Sequence, residues 1–287
     1  MKKYIYGCLN LHTIENPQDF LSNLYKIGIR QFETARIYGK GESEKILGSW
    51  LKSLTNEKQN EIKIITKGGC YGPEAKWKPN LKGNFITSQL FISLNYLSKI
   101  DLFLLHRDDP NISISKITKM MDYFVKNNYI SNWGVSNWTH KRLQEAINYC
   151  KENNLIKPIF SSIQYSILKP PKDKLWPGTV HMNLDEYQWY KKTKFPVLCW
   201  EVLAKGFILD TRKKSIYNTD KNIEKIKKLN NLSILRNIPI NNLAINYVLS
   251  ENINSSVIIG STNLDHIKEN IKYLSKIICK DELNYLN

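Results

Sequence analysis

Eight short apolar runs, rich in Ile, Val, Leu and Phe, alternate with segments of helical pattern along this chain of 287 residues. That alternation constrains the fold more than any other feature, because it is the signature of βαβ units around a parallel sheet. The runs are Tyr4 to Cys8, Gln31 to Thr34, EIKIITK, DLFLLHR, ISNWGVSN, PIFSSIQYS, PVLCWEVL and SSVIIGS. Helices are expected at about Pro17 to Ile27, Ser43 to Leu51, Ser88 to Leu97, Ser115 to Val125 and Lys141 to Glu152. Further ones follow around Tyr187 to Tyr190, twice between Lys221 and Ser250, and from Leu264 to Leu274. Eight such units in this length are the count of a (β/α)8 TIM barrel, whose active site lies at the C-terminal ends of its strands. A doubly wound sheet is the competitor, but Gly7-Cys8-Leu9-Asn10 follows strand one where that fold would carry GxGxxG.

The length alone allows one domain or two. No Pro/Gly/Ser-rich run, low-complexity tract or charge block divides the chain, so a single domain over residues 1–287 is expected. The first residues lack the apolar stretch of a signal peptide and no later run is long enough to span a membrane, which points to the cytoplasm. The cysteines Cys8, Cys70, Cys150, Cys199 and Cys279 lie far apart with no CxxC pair, so no metal centre or disulfide framework is expected. A net charge of +16 raises a nucleic-acid partner. Yet lysines such as Lys221, Lys225, Lys227 and Lys228 are dispersed among equally abundant Asn and Ile, and no RNA-recognition, KH or helix-turn-helix signature accompanies them. Nucleic acid is therefore a minor possibility. A small molecule is the expected partner, and the chain itself is expected to be a monomer or weak homo-oligomer.

The strand ends carry the chemistry. Glu33 ends strand two with Tyr38 just beyond it, Lys67 ends strand three, and His106 ends strand four. Ser136 and Asn137 end strand five, Gln164 strand six, and Trp200 and Glu201 strand seven. In a barrel all project to one rim. A lysine close to a tyrosine favours phenolate and so lowers the phenol's pKa, and a carboxylate beside the lysine holds it charged and oriented. A histidine can hydrogen-bond the same reacting oxygen. Such a set suits protonation of a carbonyl oxygen while hydride arrives at the carbon. Each residue has an ordinary structural explanation alone; their common order on successive strand ends is what carries the reading.

The chain resembles the aldo-keto reductase superfamily over nearly its whole length. FETARIYGKGESEKILG resembles the family's FDTA-x-x-YG-x-SE-x-x-LG segment, IITKGG its TK strand, DLFLLHRDDP its D-x-x-x-LH strand, and GVSNW its GVSN turn. IIGSTNLDHIKEN resembles the closing cofactor-binding segment. The resemblance implies Tyr38 as general acid, Lys67 as the partner that lowers its pKa, His106 as the substrate-orienting residue, and Glu33 in the place of an aspartate. It implies that Ser136, Asn137 and Gln164 hold a nicotinamide carboxamide, with Trp200 stacked on the ring and Leu203 beside it. Gly260, Ser261, Thr262, His266, Glu269 and Asn270 would line the adenosine end. NADPH is the implied cofactor, with NADH the alternative, since Gly260 and His266 stand where some branches place Lys and Arg. Glu33 is one methylene longer than aspartate, so its carboxylate must approach Lys67 from a shifted backbone or rotamer. The chain also enters strand one almost at once, without the N-terminal hairpin of many relatives.

Residues Lys169 to Leu184 form a long loop holding Trp176 and His181, and loops of that size inside a compact domain are usually functional. With Arg107, Asp108 and Trp138 it would wall a substrate pocket. Arg107 either invites an anionic or hydroxylated substrate or serves as a salt-bridge partner, and Trp176 is either a substrate platform or a clamp on its own loop. The resulting reading is a carbonyl reductase acting on polar, sugar-derived or related aldehydes and ketones. The alternative is a weakly or non-catalytic NADP(H)-binding regulatory subunit.

Overall fold

A computed structural model of the chain describes residues 3–274 and 276–286. Its strands are β1 (Tyr4–Gly7), β2 (Gln31–Glu33), β3 (Lys63–Gly68), β4 (Leu102–Leu105), β5 (Trp133–Ser136), β6 (Ser161–Gln164), β7 (Val197–Trp200) and β8 (Ser255–Ile259). Each pairs in parallel with the next, and β8 returns to β1 with Tyr4 opposite Val257 and Ile5 opposite Ile258. The expected (β/α)8 barrel is therefore the observed fold.

Side chains alternate across each strand, and the alternation sorts the apolar residues into two cores. Ile5, Ile65, Leu104, Leu198 and Ile258 pack together inside the barrel. Tyr6, Phe32, Ile64, Phe103, Val135 and Val257, one position away on their strands, pack outward in the layer beneath the helices. The inward parity runs on to the C-terminal strand ends. It gives Glu33, Lys67, His106, Ser136, Gln164 and Trp200 to the barrel mouth, as the sequence pattern requires.

The surrounding helices are α1 (Pro17–Lys26), α2 (Glu42–Lys52), α3 (Asn56–Glu61), α4 (Gly83–Leu97), α5 (Ile114–Lys126) and α6 (His140–Glu152). α7 (Leu184–Thr193), α8 (Asp220–Arg236), α9 (Ile240–Ser250), α10 (Leu264–Lys272) and α11 (Lys280–Leu286) follow. Two of these, α3 and α11, were not expected. The sequence of α3, NEKQNE, has no apolar residue to give a helical period. α4 starts at Gly83, before the expected Ser88, and α7 is longer than the Tyr187–Tyr190 turn because Asn183 caps it, accepting from the Glu186 amide at 3.0 Å. Among the described residues no helix is long and apolar enough to cross a membrane.

α2 and α4 approach so closely that glycine is needed between them. A Cβ on Gly48 would lie 2.0 Å from the Tyr96 carbonyl oxygen, which belongs to a helix backbone and cannot rotate away. Gly48→Ala is expected to push the helices apart and cost about 1–3 kcal/mol, as overpacking does. Urea denaturation at equilibrium measures it; an unchanged midpoint would show that the interface gives freely.

Candidate active site

Glu33 and Lys67 meet as an ion pair at the barrel mouth, each side chain only 4% exposed. β2 and β3 are neighbours with Glu33 opposite Ile65, so Lys67 stands two residues further along on the same inward parity. That offset is about 6–7 Å along the strand. The longer reach of glutamate spans it, and the carboxylate arrives on the ammonium. Lys67 Nζ also donates to the Thr34 carbonyl at 3.1 Å and to the Tyr38 hydroxyl at 2.8 Å. The hydroxyl in turn donates to Glu33 Oε1 at 3.3 Å. His106 completes the group, its ring edge-on to Tyr38 with centroids 6.0 Å apart.

The electrostatics differ from the sequence expectation in one respect. Burial is the largest influence on Tyr38 and raises its pKa above the ordinary phenol value. Burial outweighs the lowering expected from Lys67, whose ammonium is itself desolvated beside the Glu33 carboxylate. Burial likewise pulls Lys67 below the ordinary lysine range. His106 is held well below its usual value by burial first and then by the charges of Lys67 and Arg107, so its ring is neutral near pH 7. A protonated phenol and a neutral imidazole around one opening can donate a proton to an oxygen and hydrogen-bond it at the same time.

The residues expected around a nicotinamide are tied to one another. Asn137, in the left-handed region at φ +58°, donates to the His106 carbonyl at 3.2 Å and to Ser136 Oγ at 3.1 Å, and accepts from the Val180 amide at 3.3 Å. Gln164 Nε2 donates to the Tyr217 hydroxyl at 3.2 Å, which donates to Glu201 Oε1 at 3.1 Å. Gln164, Tyr217 and Glu201, together with Trp176 and Trp200, line a small cleft on the rim. Gly260, Thr262 and His266 are exposed, while Leu203 and Ser261 are half-buried. Glu269 accepts from Asn241 at 3.0 Å. Asn270 does not face the surface: it is buried and accepts from Asn241 at 2.8 Å.

This donor set fits a nicotinamide dinucleotide. Trp200 offers a half-exposed apolar shelf, the Gln164 amide reaches the same cleft, and the exposed Gly260–Thr262 stretch leads into the start of α10, where the Asn263 side chain caps the first N–H groups by accepting from Asp265 and His266.

The substrate side departs further from expectation. Trp138 is fully buried in the outer core under the Arg142 guanidinium and lines no open surface. Trp176 stacks on Trp77, with ring planes 5° apart and centroids 6.5 Å apart, and Lys205 Nζ sits 3.9 Å over it. It thus joins the long loop to the β3–α4 loop. Arg107 donates to the Pro177 carbonyl of that loop, while Asp108 pairs with Arg142 at 3.3 Å. His181 aligns with Gln164 as the long loop returns beside β6.

The sequence pattern of the Aldo/keto reductase family matches residues 13–287. Among solved structures, the fold is similar to that of the thermostable aldo-keto reductase Tm1743, determined with the inhibitor epalrestat. The TM-score is 0.79 at 18% identity, over 100% of this chain and 94% of that one.

A buried network missed in the sequence holds Tyr38 and Lys67 in place. Glu44, fully buried on α2, accepts from Thr66 Oγ1 at 2.6 Å and Ser93 Oγ at 2.8 Å and pairs with Arg36. Thr66 precedes Lys67, and Arg36 begins the turn that carries Tyr38. Gly41, at φ +99°, makes room for this arm, since a Cβ there would overlap the Arg36 guanidinium. Burial raises the Glu44 pKa, and Thr66, Arg36 and Ser93 oppose the rise. Glu44→Ala leaves three partners without their acceptor and is expected to cost about 3–5 kcal/mol, the usual penalty for breaking a buried pair. Chemical denaturation reads the loss; a cost below about 1 kcal/mol would mean that the network is worth no more than a surface ion pair.

Proposed function

The chain belongs to the aldo/keto reductase family, and from that premise we propose that it is an NADPH-dependent reductase of aldehydes or ketones, with Tyr38 as proton donor. The observation that carries the reading is the convergence of Tyr38, Lys67, Glu33 and His106 on one opening at the barrel mouth. When bound, the dinucleotide supplies the hydride. The chain's residues supply position and the proton. Trp200, Gln164, Ser136 and Asn137 would hold the nicotinamide end, and Gly260, Ser261, Thr262 and His266 the adenosine end. The carbonyl oxygen would lie between the Tyr38 hydroxyl, which would turn its proton from Glu33 toward it, and the neutral His106 ring, which has one N–H to give. As negative charge grows on that oxygen, the Tyr38 proton crosses to it, and Lys67 stabilises the phenolate left behind. The balance is carbonyl plus NADPH plus one proton, giving alcohol plus NADP+. The contact among Tyr38, Lys67 and His106 weighs against a non-catalytic nucleotide-binding subunit.

Two experiments test this reading. In the first, tryptophan fluorescence is titrated with NADPH and NADH, for the wild type and Tyr38→Phe, and followed by a carbonyl screen under turnover. NADPH should bind both proteins more tightly than NADH, and only the wild type should oxidise it with substrate. Binding of neither dinucleotide would overturn the proposal. The second follows from the lowered Lys67 pKa. Its ammonium loses the proton below the ordinary lysine range, so reduction should slow as pH rises through that titration. Lys67→Met should abolish the inflection and lower kcat by about a hundredfold, the scale of a lost proton-transfer aid. A mutant profile that keeps the wild-type inflection would assign the titration elsewhere.

A further inference from the structure

Arg107 follows His106 directly, is 5% exposed, and is not used by the chemistry above. A guanidinium has five donors and stays charged in essentially any protein setting, so burying one without an anion is costly. Among the described residues its one hydrogen-bond partner is the Pro177 carbonyl, which takes Nη1. The salt-bridge role open from sequence has no carboxylate to fill it. Asp108 is paired with Arg142, and Asp109 accepts from the Leu81 amide at 3.4 Å and the Asn111 amide at 3.2 Å. Among the described residues Nε and Nη2 take no hydrogen bond, and neither is a fully buried atom without a partner, so that edge keeps some exposure. Two parallel N–H groups on such an edge match the two oxygens of a carboxylate.

The surroundings reinforce that charge. Arg107 is the next residue after His106 at the end of β4, and its bond to the Pro177 carbonyl ties it to the long loop that carries Trp176 over the rim. Over the Trp176 ring stands the Lys205 ammonium, whose charge is shared with the Glu201 carboxylate 3.8 Å away. A net charge of +16 adds a general attraction for anions.

We infer that Arg107 is a specificity-determining residue that receives a carboxylate borne by the carbonyl substrate, so that the enzyme prefers oxo acids and carboxylated aldehydes to neutral ones. This inference rests on the reading of the rim as a carbonyl-reducing site.

The test compares 4-carboxybenzaldehyde with its methyl ester as substrates under NADPH turnover, in the wild type, Arg107→Leu and Arg107→Lys. The wild type should favour the free acid in kcat/KM by about tenfold to a hundredfold, the range of a hydrogen bond to a charged group. Arg107→Leu should bring the ratio of the two kcat/KM values near one, with the change carried by KM of the acid, and Arg107→Lys should restore part of it. A residue that only tethers the loop would lower both substrates together and leave the ratio unmoved, which overturns the inference. So does a wild type without preference. If neither aldehyde is reduced, the reductase reading fails, and calorimetric titration with benzoate then judges Arg107 alone. Binding to the wild type that is lost in Arg107→Leu supports the anion site, and equal or absent binding overturns it.

Discussion

The ion pair of Lys67 with Glu33 is the constraint on which the barrel mouth depends. Neither charge has access to bulk water, and an isolated ion in that setting would cost several kcal/mol. Their contact, together with the Thr34 carbonyl and Tyr38 hydroxyl on the same nitrogen, offsets part of the desolvation and leaves Lys67 little freedom to move. Everything that acts on a ligand is then referred to this point. β2 and β3 set the pair, the Arg36–Glu44–Thr66 network fixes the turn and the strand that flank it, and Tyr38 is placed by its hydrogen bonds to both members.

The same pair explains the resting state of the phenol. A bare ammonium 2.8 Å away would draw Tyr38 toward phenolate. With a carboxylate on that ammonium, the field at the phenol is largely cancelled and burial prevails, so the hydroxyl keeps its proton. This suits a donor rather than hindering it. A phenol that ionised before substrate arrived would have nothing to give, whereas one that ionises only as charge builds on a nearby oxygen loses its proton when the transfer is useful. The glutamate at this position, a methylene longer than the aspartate of the resembling motif, reaches the lysine because parity places Lys67 two residues above its register partner.

Much of this was legible in the sequence because it depends on local order. Eight apolar runs with helical segments between them specify a closed parallel sheet, and period-two alternation then decides which strand-end residues face inward. Glu33, Lys67, His106, Ser136, Gln164 and Trp200 follow from those two rules alone. What stayed hidden depends on distance in sequence. Tyr217 sits in a loop without periodicity, and only the folded chain brings its hydroxyl between Gln164 and Glu201. Trp138 follows the GVSN turn and reads as a rim residue, yet the left-handed Asn137 before it turns the chain and sends the indole into the core. Asn270 reads as a surface hydrogen-bonder because its helix begins at the rim, but it lies on the face packed against α9. Glu44 was visible as part of a motif, while its link to Lys67 through Thr66 needed the barrel to exist.

The hydrogen bonds that close the rim also bear on how a planar amide would enter. Gln164 gives its N–H to Tyr217, and Asn137 divides its amide between the His106 carbonyl and the Val180 amide. A carboxamide entering this cleft offers both a donor and an acceptor, so each bond it displaces has a replacement of the same kind. Exchanges of that sort are nearly neutral in free energy, since a typical hydrogen bond contributes only about 0.5–1.5 kcal/mol net. The Gln164–Tyr217–Glu201 chain can therefore hold the shape of this small cleft through bonds that cost little to exchange. A purely apolar group meets the opposite balance, since displacing the Tyr217 hydroxyl would leave the buried Gln164 amide without a partner, a loss of about 1–3 kcal/mol.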